Sequence, residues 1–367
     1  MNPLRSLWDD FGQAVWLDYI ERDLITGGGL RRLVEADGIR GVTSNPSIFH
    51  QAITKGDAYG AAIDALLGER PQLSTAELYE ALVIEDIRGA ADVLRPVYDD
   101  SGGSDGFVSL EVSPHLAADT AGTVAEARRL WREVGRPNLM IKVPATAAGL
   151  PAIERLIADG VNVNVTLMFS LDHYEAVAAA YLRGLERAAQ PARVASVASF
   201  FVSRVDTAVD AELEAMGMAE ALALRGRAAV ANASLAYRRF LEIFHGDAFA
   251  SLRARGGRVQ RPLWASTSTK NPSYPDVKYV EELVARETVN TIPTATLDAY
   301  RDHGRPRHAL AEGADADAAD LDRIRRLGVD VDRVTEQLQV DGVAAFARSF
   351  DQLIAALDEA RRLPAAP

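Results

Sequence analysis

Eight short apolar runs, each followed by a longer segment of amphipathic spacing, limit what this chain can fold into. They are 14–20 (AVWLDYI), 39–45 (IRGVTSN), 107–113 (FVSLEVS), 138–144 (NLMIKVP), 161–169 (VNVNVTLMF), 194–202 (VASVASFFV), 261–267 (RPLWAST) and 288–294 (TVNTIPT). Strands that alternate with helices, with few tight hairpin signals, pair in parallel, and eight of them predict an α/β fold of the (β/α)8 barrel type. The competing arrangement is an open doubly wound sheet. It lacks its mark, because no GxGxxG follows the first run and Gly27-Gly28-Gly29 does not have that spacing.

The intervening segments read as helices. Residues 24–38 (LITGGGLRRLVEADG) form one helix-like stretch, and Pro46 opens another. Residues 72–100 carry helical spacing with Ser74 and Thr75 as N-cap candidates. A helix starts at Leu171, and two more stretches run from the sixth strand to about Phe249. Residues 311–330 are acidic, and from Asp341 onward Val343, Phe346, Phe350, Leu353 and Leu357 share one helical face. The expectation is therefore a single barrel domain over 1–367, with 311–367 as a helical extension packed on it.

Composition excludes several function classes. The net charge of −12 argues against nucleic acid or an anionic membrane as partner. An anionic substrate would need a few local cations to hold it against that field. The chain has no cysteine, and its six histidines are scattered without an HExxH pair, so no metal site is expected. The opening MNPLRSLWDD has no apolar leader core, and no run approaches the ~18 apolar residues of a membrane span. The expected setting is the cytoplasm.

The fourth run contains the residue that most needs explaining. Lys142 stands between Met140-Ile141 and Val143-Pro144 in a strand that reads as buried on both faces. Lysine is almost never fully buried without a partner. Desolvation favours the neutral amine, which is a nucleophile able to form a Schiff base with a ketone or aldehyde. A lysine at a strand end whose ammonium meets water or a carboxylate is an equal rival. Polar residues on other strands point the same way. Ser109 and Glu111 alternate with apolar residues on the third, Asn162, Asn164 and Thr166 share a face of the fifth, and Ser199 and Phe201 share a face of the sixth. Lys142, Glu111, Thr166 and Ser199 lie late in their strands, which puts them at the C-terminal mouth of a barrel, where active sites lie. Asp18 ends the first run, with an N-cap as its rival role. Asn45 before Pro46 also suits a helix start, and Thr43 and Ser44 share that ambiguity. Arg204 follows the sixth strand. Lys270 lies in a hydroxyl-rich loop, 266–272 (STSTKNP), suited to phosphate but equally to solvent.

Longer motifs carry a resemblance. The segments 41–49 (GVTSNPSIF) and 139–156 (LMIKVPATAAGLPAIERL) resemble the transaldolases, Schiff-base enzymes of the class I aldolase type. Support comes from SLEVSP at 109–114, NVNVTLMFS at 162–170, SFFVSR at 199–204 and ASTSTKNPSY at 265–274, and the length resembles the longer bacterial branch. The resemblance implies that Lys142 forms the Schiff base and Asp18 handles the C4 hydroxyl proton. It implies that Glu111 and Thr166 move protons through a water as the carbinolamine forms and dehydrates. Asn45, Asn164 and Ser199 would hold the donor's hydroxyls, Phe201 would shape and dry the site, and Arg204 would bind phosphate. Lys270 stands where one branch has a second arginine, supplying charge without the bidentate fork. No cofactor is implied, the partners are sugar phosphates, and the chain is expected as a monomer or homodimer.

The resemblance leaves two alternatives. A fructose-6-phosphate aldolase of the same superfamily would release dihydroxyacetone, but that group has glutamine and tyrosine where this chain has Glu111 and Phe201. A non-catalytic sugar-phosphate-binding barrel would not need Lys142, Asp18 and Glu111 together.

Overall fold

In the computed structural model, which describes residues 2–55, 57–310 and 314–362, every apolar run forms a strand. They are β1 Gln13–Leu17, β2 Gly41–Val42, β3 Phe107–Glu111, β4 Leu139–Pro144, β5 Val163–Met168, β6 Ser196–Phe201, β7 Arg261–Ala265 and β8 Thr288–Ile292. Each pairs in parallel with the next, and β8 closes on β1. The expected (β/α)8 barrel is the architecture found. The strands are shorter than the runs because the last, polar residues of several runs leave the ladder to build loops. Asp18, Thr43 to Asn45 and Ser266 to Thr267 are such residues.

β2 is the shortest strand, and its geometry has a local cause. Gly41 stands opposite Trp16 in register, and a Cβ at Gly41 would lie 2.5 Å from the indole ring. Only glycine leaves room for that ring. The indole Nε1 donates to Asp105 Oδ1 at 2.8 Å, and the buried Asp105 also pairs with Arg40 at 2.9 Å and Arg261 at 3.3 Å. This ion cluster ties the N-terminal end of the barrel, the end associated with stability rather than chemistry.

The helices follow the sequence with one correction. The stretch 24–38 is not continuous: it divides into Arg22–Thr26 and Gly29–Asp37, because Gly28 adopts the left-handed conformation at φ 73°. Ser74 caps the helix Thr75–Asp100, and Glu77 completes a capping box. The helix Leu171–Arg187 starts where expected. After β6 come Ser203–Met216, a short Ala219–Leu222 and Ala228–His245.

The C-terminal segment forms the helices Ala314–Arg326 and Val331–Arg362; residues 311–313 and 363–367 of the expected extension lie outside the described residues. Val331–Arg362 crosses the C-terminal mouth of the barrel. Its Gln339 Nε2 donates to the carbonyls of Ala145 (3.1 Å) and Leu167 (3.0 Å), just beyond β4 and within β5. Ser47 Oγ donates to Ser349 Oγ at 2.8 Å, tying it to the helix Pro46–Lys55. Phe346, Leu353 and Leu357 of the expected apolar face are buried. No helix among the described residues is long and apolar enough to cross a membrane.

Candidate active site

The ladder itself assembles the centre of the site. Lys142 of β4 stands opposite Glu111 of β3 and Asn164 of β5. Registered neighbours point to the same side of a sheet, so all three face the barrel interior. Lys142 is 4% exposed. Its Nζ donates to the Ser44 carbonyl at 3.0 Å and to Glu111 Oε2 at 3.4 Å. Burial pushes the Glu111 carboxyl above the usual carboxylate range, with the Lys142 charge opposing and Asp18 adding to the rise. A carboxyl that takes a proton more readily than an ordinary one therefore lies beside the amine.

Asp18 lies just past β1, where its N–H donates to the Ile292 carbonyl at 2.9 Å. Its Oδ1 accepts from Thr43 Oγ1 at 2.7 Å, and that hydroxyl meets Thr291 Oγ1 at 2.7 Å. The rival N-cap role is not the one it plays, since Glu21 occupies the N-cap of Arg22–Thr26. Burial raises the Asp18 pKa; the Thr43 bond and then Lys142, Arg204 and Lys270 lower it. Three cations acting on one carboxyl place them around a common space.

That space is a cavity of about 330 Å3 lined by Asp18, Asn45, Lys142, Thr166, Ser199, Phe201, Arg204 and Lys270. Thr166 is fully buried and its Oγ1 has no partner among the described residues. An unpaired buried hydroxyl is costly, so this one suits a ligand or water. Thr166 also sits in a bulge: register with β6 shifts between Val165 and Met168, and Leu167 has φ 59°. Such bulges re-aim side chains beside active sites.

The other expected residues divide by depth. Glu111 lines a neighbouring cavity of about 300 Å3 with Asn45, Tyr79 and Glu126, and reaches Lys142 from there. Asn164 lies beneath the site. Its Nδ2 donates to Ser109 Oγ at 2.9 Å and its Oδ1 accepts from Ser199 Oγ at 2.6 Å. Its amide holds Ser199, and Ser199 is the group that meets the cavity. Asn45 makes the helix-start contact read from sequence, its Oδ1 accepting from Ile48 N at 3.0 Å, and it also lines the cavity.

The cations sit at the mouth. The Arg204 guanidinium is 5.2 Å from the Phe201 ring centroid, and Phe201 in turn is 5.1 Å from Phe169. Lys270 Nζ donates to Ser268 Oγ at 2.6 Å. The Ser203 N–H donates to the Ser266 carbonyl at 3.1 Å, pinning the loop after β7 beside the turn that carries Arg204. Partial desolvation lowers the Lys270 pKa, and the like charge of Arg204 lowers it further. Among the described residues neither cation forms an ion pair. Two cations without ion pairs that repel one another at one cavity have the chemistry to hold an anion.

Sequence reasoning missed two participants. Phe346 of the helix Val331–Arg362 lines the cavity, its ring centroid 5.6 Å from Lys142 Nζ. Its helical face was legible, but nothing in the spacing said that the face ends above the lysine. Thr43 was visible within 41–49, yet its role as donor to Asp18 needs the fold. A larger cavity of about 670 Å3 opens at the other end of the barrel, beside Trp8, Arg258 and Arg286, and holds none of the expected residues.

Comparison with known proteins agrees across nearly the whole chain. Residues 15–357 match the family described as Transaldolase/Fructose-6-phosphate aldolase. A transaldolase of Thiobacillus denitrificans is 53% identical over 348 residues, covering 94% of this chain and 96% of that one. Transaldolase 1 of Streptomyces coelicolor is 52% identical over 353 residues, 95% of this chain and 92% of its own. A transaldolase of Thermobifida fusca is 51% identical over 358 residues, 96% of each.

Proposed function

Since the chain belongs to the transaldolase/fructose-6-phosphate aldolase family, we propose how its own residues carry out the transaldolase reaction. A dihydroxyacetone unit passes from a ketose phosphate, sedoheptulose 7-phosphate or fructose 6-phosphate, to an aldose phosphate, glyceraldehyde 3-phosphate or erythrose 4-phosphate. This is a step of the non-oxidative pentose phosphate pathway.

The Lys142 amine adds to the C2 carbonyl of the ketose. Glu111, protonated readily because it is buried, and the free hydroxyl of Thr166 hold the water through which protons move as the carbinolamine loses its oxygen. The iminium left on Lys142 is an electron sink. Asp18 takes the C4 hydroxyl proton, the C3–C4 bond breaks, and the aldose phosphate leaves. The three-carbon unit stays as an enamine until an acceptor aldehyde takes it, with Asp18 returning the proton. Asn45 and Ser199 hold hydroxyls, Asn164 positions Ser199, and Arg204 with Lys270 holds the phosphate. Phe201 makes the wall beside them apolar.

The observation that carries the reading is the contact of a nearly buried lysine with Glu111 at 3.4 Å, on a cavity shared with Asp18 and two unpaired cations. Glu111 and Phe201 favour transfer over the release reaction of the related aldolases. The chain acts as one domain, in the cytoplasm, as a monomer or homodimer. Fructose 6-phosphate and erythrose 4-phosphate test the reading directly. Sedoheptulose 7-phosphate is the expected main product; free dihydroxyacetone as the main product would make the chain an aldolase.

A further inference from the structure

The enamine on Lys142 has two fates, transfer to an aldehyde or loss to water. In the second, enamine plus water gives ketone plus amine. One water proton ends on C3, the other on Nζ, the water oxygen becomes the C2 carbonyl oxygen, and the C–N bond breaks. A transferase must slow that route while it waits for an acceptor. The water proposed for Glu111 and Thr166 belongs to the normal cycle; bulk water would come from the mouth.

The mouth is where the helix Val331–Arg362 crosses, and Phe346 is the residue it puts into the cavity. The ring is 5% exposed and its centroid is 5.6 Å from Lys142 Nζ. Contacts on both sides of Phe346 fix its place. Gln339 is bonded to the carbonyls of Ala145 and Leu167, the first only three residues beyond Lys142. Ser349 is bonded to Ser47, and Asp351 meets His115 at 2.8 Å. The helix therefore holds one apolar ring over the reacting nitrogen, 5.6 Å from Lys142 Nζ to the ring centroid.

We propose that Phe346 is a specificity-determining residue that keeps bulk water from the Lys142 enamine and thereby sets the ratio of transfer to release. The proposal rests on the Schiff-base reading above. Its test is the ratio of free dihydroxyacetone to sedoheptulose 7-phosphate formed from fructose 6-phosphate and erythrose 4-phosphate. It is compared in the unaltered protein, Phe346→Leu and Phe346→Ala. Borohydride trapping with fructose 6-phosphate counts the sites that still form the imine. The expected result is a ratio that rises with the apolar volume removed, on the order of tenfold for Phe346→Ala, equivalent to ~1.4 kcal/mol in relative barrier. An unchanged ratio in the variants that trap would overturn the proposal, as would an equal rise in both, which would assign the effect to displacement of the helix. Loss of trapping in both variants would also overturn it, since the ring would then serve imine formation. Absence of trapping in the unaltered protein would refute the Schiff-base reading instead.

Discussion

At the scale of single residues, the site consists of groups that would be costly anywhere else in the molecule. Lys142 is buried with one carboxylate and one carbonyl for company, Thr166 has a hydroxyl without a partner, and Asp18 is a carboxyl whose charged form burial disfavours. Asp18 gives this cost a pH signature. Its folded-state pKa lies above the ordinary 3.8, so the folded protein binds a proton more readily than the unfolded chain does. The associated stability is present below 3.8 and is lost as pH rises through the raised value. Asp18→Asn keeps an acceptor for Thr43 but never ionises. Its urea midpoint should exceed that of the unaltered protein at pH 7, with the gap narrowing as the pH falls toward the ordinary carboxylate range and closing below it. A gap that does not change with pH would remove burial of the charge as its cause. Transaldolase activity should fall sharply in the same variant if Asp18 is the proton acceptor proposed for C–C cleavage; unchanged activity would remove it from that role.

At the scale of elements, strand identity was legible in the sequence and strand ends were not. The parity of apolar and polar residues gave the inward faces of β3, β4 and β5, because a two-residue period survives in any parallel barrel. It did not give the bulge at Thr166-Leu167, which depends on how β5 meets β6, nor the division of 24–38 at Gly28. Asn164 shows the same limit within one residue: its inward direction followed from parity, but its depth beneath Ser199 followed from packing. β2 offers an element-scale test. An alanine at Gly41 would press a methyl group into the Trp16 ring, so Gly41→Ala should destabilise the barrel by ~1–3 kcal/mol in urea unfolding. An unchanged midpoint would mean that the indole can move aside, although its bond to Asp105 opposes that.

At the scale of the whole molecule, the barrel separates stability from chemistry. The Asp105 ion cluster binds the N-terminal end, while the C-terminal end gathers the lysine, the carboxyls and two unpaired cations under a helix supplied by the far end of the sequence. The local cations give a chain of net charge −12 a place suited to a phosphate, the role proposed for Arg204 and Lys270. Phe346 closes this arrangement across about 200 residues of sequence, a distance no local pattern spans. All of it turns on where the substrate becomes covalently attached. The sequence has only four lysines, Lys55, Lys142, Lys270 and Lys278, so attachment can be assigned without ambiguity. Borohydride reduction in the presence of fructose 6-phosphate, followed by peptide mapping, should give one adduct, on Lys142, and a folded Lys142→Ala should give none. An adduct on Lys270 or Lys278, or an adduct that persists in Lys142→Ala, would contradict the account.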